Sequence, residues 1–214
     1  MLRIGAAGAS LACLSVGAIG LVMRAMPAGI SFQPSEAPLS LAEFVRPTNE
    51  HPAAALCFFA ADSTLLIGYF AAFLGLYASS SGRAPRLAAL GLASGILMAA
   101  ADAVENTIYA NYAFGALQGE PLVAPNTTML YWVTGVKEAS ASAAFLAFAL
   151  ATPATGFLGG LASQLLLLTP LVGLLSLIYP ALVHARGWVL CAPMPFLAIW
   201  LWRQARHAQP GVSS

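Results

Sequence analysis

Six apolar runs, at residues 4–23, 53–78, 86–112, 128–150, 157–179 and 187–203, narrow what this chain can fold into more than any other feature. A helix rises about 1.5 Å per residue, so roughly 20 apolar residues cross the hydrocarbon core of a bilayer. Inside that core no water satisfies backbone N–H and C=O groups, so each run must close its own hydrogen bonds as a helix. The sixth run is the shortest. Short turns carrying Pro, Gly or Ser join most of them, such as Ser79–Gly82 and Thr152–Gly156. The predicted fold is all-α: a polytopic membrane protein, one transmembrane domain over residues 1–214, with a bundle of about six helices.

Composition agrees with that reading. Only 8% of the residues are charged and 59% are hydrophobic. A soluble domain carries roughly a quarter charged residues, so this chain could not cover its surface with polar groups. Lipid is the expected solvent for most of it. The formal net charge of +1 argues against a nucleic-acid partner. Cys13, Cys57 and Cys191 lie in apolar runs without CxxC or metal-ligand spacing and read as small buried hydrophobes. The expected partners are the bilayer and either further copies of the chain or a larger membrane complex.

The first run follows Arg3 and ends near the small residues Ala25 to Gly29, as a secretory signal does. It is read here as a retained helix whose Gly5, Ala6, Ala7, Gly8 and Ala9 suit close packing in lipid. The long connection 24–52 contains Ser40-Leu41-Ala42-Glu43, a capping-box pattern, followed by Phe44 and Val45 on the face of Leu41. A short interfacial helix ended by Pro47 is expected there. Arginine placement sets orientation. With the N-terminus inside, Arg3, Arg83, Arg86, Arg203 and Arg206 face inward, and Arg24, Arg46 and Arg186 outward. The expected location is the cell (inner) membrane with both termini cytoplasmic. Tyr179, Trp188, Trp200 and Trp202 are placed as interfacial anchors.

Against this apolar background, Asp62, Asp102, Glu105, Glu138 and Lys137 lie inside the predicted spans. A charged side chain at the bilayer centre costs roughly 2.5–3.5 kcal/mol on insertion scales. From the helical rise, Asp62 lies roughly 14 Å below the outer end of its helix. Asp102 and Glu105 lie roughly 16 and 11 Å below theirs, and Lys137 and Glu138 roughly 14–15 Å. All five therefore share one slab across three consecutive helices.

Facing follows from spacing. Asp102, Glu105, Asn106 and Tyr109 fall at i, i+3, i+4 and i+7, one stripe that Ser94, Gly95 and Met98 continue. Tyr131, Gly135, Glu138 and Ser142 share a second face, and Lys137 lies beside Thr134, about 100° round from Glu138. Asp62 aligns with Tyr69. Lys137 is thus expected to pair with Asp102 or Glu105, while Glu138 points toward another neighbour or a cavity.

Four acids and one lysine cannot all be ionised in a low-dielectric layer. The leading expectation is proton- or cation-linked transport or channel activity. Asp62, Asp102, Glu105, Asn106 and Glu138 would bind the proton or cation, with Lys137 as charge partner and Tyr69, Tyr109, Tyr131 and Thr134 in support. The plainer alternative is an accessory subunit that uses an ion pair to lock helices. An enzyme acting on a lipid or quinone ranks last. A hard cation would suit the carboxylates, but no histidine accompanies them, so neither a bound metal nor a cofactor is expected. His51, His184 and His207 read as solvated interfacial groups. Pro170 and the pair Pro193 and Pro195 are expected to kink or loosen the last two helices. Asn126-Thr127-Thr128 matches a glycosylation acceptor only weakly.

Overall fold

A computed structural model describes residues 1–27, 32, 41–153, 156–176, 178–179, 182 and 189–208. Ser40, the side chains of Leu41 to Phe44, and His184, Arg186 and Trp188 lie outside the described residues, and the capping box lies there with them. The elements are α1 (Leu2–Arg24), α2 (Leu41–Glu50), α3 (Pro52–Ser80), α4 (Pro85–Leu117), α5 (Thr127–Ala151), α6 (Gly156–Ser176) and α7 (Met194–His207). Among the described residues, α1, α3, α4, α5 and α6 are long and apolar enough to cross a membrane. The chain is an all-α polytopic bundle.

The sixth predicted run departs from expectation. Residues 189–191 are helical, a turn at Ala192 and Pro193 interrupts them, and a 14-residue helix then starts at Met194 with Pro195 in its first turn. Proline lacks an N–H and crowds the preceding turn, so it fits best in the first turn of a helix. The helix then continues past Trp202 to His207, and the positive charge of Arg206 in its last turn suits the C-terminal dipole. Pro170 behaves differently: α6 continues through it. Pro47 likewise sits inside α2, which extends to Glu50. Its carbonyl is intact and accepts from the His51 N–H at 2.9 Å, so the following turn still closes.

α1 packs on α3, α3 on α4, α4 on α5, α5 on α6, α6 on α7, and α7 back on α1, closing a ring. The closest approach is between α1 and α3. A Cβ placed on Gly5 would lie 2.4 Å from the Gly75 Cα, and one on Gly68 would lie 2.6 Å from the Ala12 nitrogen. Only hydrogen fits in either position, so these backbones touch. Met1, Leu2 and Arg3 meet Ala78, Ala205 and Ala208 in one shallow cleft, which puts the start of α1 and the last turn of α7 at one end of the bundle.

At the other end, α2 is tied down. The Asn49 side chain donates to the Leu122 carbonyl and accepts from the Leu122 N–H, both at 2.9 Å. Gly119, at φ +87°, lets α4 stop there, and the Glu120 N–H returns to the Gly115 carbonyl at 2.9 Å. Asn126, the weak glycosylation candidate, is the N-cap of α5 and accepts from the Met129 N–H at 3.0 Å.

The apolar interior has two parts. One gathers Tyr69, Phe73, Leu76, Met98, Phe145 and Phe148 toward the end that holds the start of α1. The other gathers Phe58, Phe59, Tyr109, Ala113 and Leu130 toward α2. Trp200 belongs to the first interior and is 3% exposed, so it fills the core and does not anchor at an interface as expected. Cys57, expected to be buried, is exposed, and Cys13 and Cys191 are half-buried.

Candidate functional site: a charge layer between two apolar cores

On each of three helices the ionisable residues fall between the two interiors. Asp62 follows Phe59 and precedes Tyr69 on α3; Asp102 and Glu105 lie between Met98 and Tyr109 on α4; Lys137 lies between Leu130 and Ala141 on α5. The period of 3.6 residues per turn brings Asp102, Glu105, Asn106 and Tyr109 to one face of α4, and all four are buried.

Lys137 is the hub. Its Nζ donates to Asp102 Oδ1 at 3.2 Å and to Glu105 Oε2, forming an ion pair with each. The Tyr69 hydroxyl donates to Asp102 Oδ2 at 2.5 Å. The Thr134 hydroxyl, one helical turn from Lys137, donates to Glu105 Oε1. All four carboxylate oxygens of Asp102 and Glu105 are therefore engaged. Burying a carboxylate is expensive unless it is both paired and hydrogen-bonded, and this arrangement supplies both conditions.

Asp62 is half-buried at the edge of the layer. It lies within electrostatic reach of Asp102, Lys137, Glu105 and the Asn106 side chain. The contact with Asn106 stops short of a well-formed hydrogen bond, because the buried Asn106 Nδ2 has no hydrogen-bond partner. Cys191, just before α7, lies within electrostatic reach of Asp62 and of Cys13 on α1. Nothing in the sequence signals that convergence, since a lone cysteine in an apolar run reads as core.

The structure thus brings together Tyr69, Asp102, Glu105, Thr134 and Lys137, with Asp62 and Asn106 beside them. Tyr109 is buried next to this group and stacks on Phe59 with ring centroids 5.0 Å apart. Glu138 is half-buried and is not one of the ion-pair partners of Lys137. Tyr131 is 55% exposed and packs edge-on against Trp132. Two residues of the predicted support on α5 thus differ: Thr134 reaches Glu105 on α4, whereas Tyr131, one turn earlier, stays largely exposed.

No family model matches the chain, and no curated protein or solved structure is significantly similar to it. The chemistry of the site therefore rests on its own geometry.

Proposed function

We propose that this protein carries out proton- or cation-linked transport, or channel-like conduction, across the membrane its helices span. The observation that carries the reading is the charge balance. Lys137 offers one positive charge to Asp102, Glu105 and the neighbouring Asp62. Three ionised carboxylates beside one ammonium would leave a net −2 in a layer walled by apolar side chains. A proton, a cation or water must relieve that excess, and a site relieved in this way exchanges its occupant with the medium. In this reading both termini face the cytoplasm of a cell or inner membrane.

The test is flux in liposomes containing the purified protein. Asp102→Asn is expected to abolish a pH- or cation-dependent flux while the protein still inserts and elutes as a homogeneous species. Undiminished flux in a folded Asp102→Asn protein sinks the proposal.

A second reading draws on the saturation of Asp102 and Glu105, which suits a helix lock in an accessory subunit. It predicts a stoichiometric partner after mild detergent extraction, lost when Lys137 is replaced. Purification of the protein without any partner, together with flux, decides against it.

A further inference from the structure

Within that transport reading, on which the following rests, the acids of the layer have unequal roles. We infer that Asp62 is the group that takes up and releases a proton, with Asn106 as its positioning residue, while Asp102, Lys137 and Glu105 stay paired throughout.

Hydrogen-bond saturation separates the acids. Both oxygens of Asp102 and both of Glu105 already accept from Tyr69, Thr134 and Lys137. Protonating either acid would break a bond in a buried network, which is costly when a partner is left unmet. Asp62 has no such set of donors. Beside it sits a buried polar group with unmet capacity: Asn106 is only 4% exposed, and its Nδ2 has no hydrogen-bond partner.

The open valence is a donor. An N–H suits a carboxylate oxygen or a water, and repels a metal cation. A hard cation such as Ca²⁺ needs about six or more oxygen ligands, and the oxygens nearest to hand are already engaged. Among the described residues no three His, Cys, Asp or Glu side chains are arranged to hold a metal ion. The proton is therefore the occupant that this chemistry accepts.

The groups facing Asp62 come from several elements. Asp102 and Glu105 on α4 and Lys137 on α5 set its local field. Tyr69 on its own helix and Cys191 before α7 also lie in reach of its charge, and Cys191 in turn lies in reach of Cys13 on α1. The step itself is simple. The Asp62 carboxylic acid gives its proton to water, leaving a carboxylate and hydronium, and the Asn106 N–H then has an anionic oxygen to meet. Uptake is the reverse.

Infrared spectra of the full-length protein in liposomes, recorded while the pH is lowered, test this assignment. The wild type is expected to show one carboxylic-acid C=O band that appears on acidification. Asp62→Asn should lose it, Glu105→Gln should keep it, and Asn106→Leu should keep it at a shifted frequency because its hydrogen-bonding neighbour is gone. Proton flux should fall to the background of empty liposomes in Asp62→Asn. A band that survives in Asp62→Asn, or disappears in Glu105→Gln, overturns the assignment. So does a band that responds to Na⁺ or K⁺ at fixed pH, and so does an Asn106→Leu spectrum identical to wild type, which also covers the case of a misfolded Asp62 variant. The transport reading fails separately, if the wild type shows no flux at all or if a folded Asp102→Asn protein keeps its full flux.

Discussion

Tyr69 on α3 donates a 2.5 Å hydrogen bond to Asp102 on α4, a residue 33 positions further along the chain. A phenol brings no charge, so this bond leaves the electrostatic balance alone and fixes where the carboxylate points. With Oδ2 held by Tyr69, Oδ1 is presented to Lys137. Tyr69→Phe keeps the ring against Phe73, whose centroid is 5.8 Å away, and removes only the hydroxyl. The expected cost is about 1–3 kcal/mol, the penalty for a buried acceptor left unmet. Thermal unfolding in detergent measures it, and an unchanged midpoint shows that the bond contributes nothing.

Lys137→Met should be more severe. It leaves Asp102 and Glu105 buried without a counter-charge, and breaking one side of a buried ion pair costs about 3–5 kcal/mol. Adding Glu105→Gln removes one of the stranded charges and should recover part of the loss. A double-mutant cycle on unfolding midpoints checks this. Strict additivity of the two substitutions contradicts the ion pair.

The contact of α1 with α3 predicts a contrast between glycines on and off the seam. Gly68→Ala drives a methyl into the Ala12 backbone nitrogen, where 2.6 Å is available, and α1 must move away. Overpacking of this kind costs about 1–3 kcal/mol. Gly17→Ala meets open space and should be neutral or slightly stabilising, since alanine is the better helix former. Equal midpoints for the two variants refute the close approach.

Asn49→Ala cuts both bonds that tie α2 to Leu122. Each such bond is worth about 1 kcal/mol net, so the Leu122 amide should exchange its hydrogen several-fold faster. Hydrogen-exchange mass spectrometry of the 113–126 peptides reads this directly. Unaltered exchange means that the segment is held by other contacts.

Much of this was legible in the sequence. The lengths of the apolar runs fix helices, because a backbone in lipid has no other way to satisfy itself. The i, i+3, i+4, i+7 spacing of Asp102, Glu105, Asn106 and Tyr109 fixes a shared face, and all four are buried. The pairing of Lys137 with those acids follows once three helices are neighbours. The last run was legible in part: Pro193 and Pro195 mark where it loosens, but hydropathy does not register that a turn at residues 192–193 splits it and that the longer helix runs from Met194. Trp200 departs from expectation for a similar reason: position near the end of an apolar run does not reveal that α1 and α6 both pack against α7.

The sequence by itself determined that this chain is a helical membrane bundle and that its buried charges share one depth. Rise per residue and lipid chemistry require no tertiary information. Only the tertiary structure decided how the acids divide. Helical periodicity gives the angle between two residues on one helix, but not how far that helix is rotated against its neighbours. That rotation is set by packing, such as the bare backbone contacts at Gly5 and Gly68 and the phenylalanines on either side of the charge layer. It turns Lys137 and Thr134 toward Glu105, keeps Tyr131 largely exposed, and leaves Asp62 beside the unmet amide of Asn106.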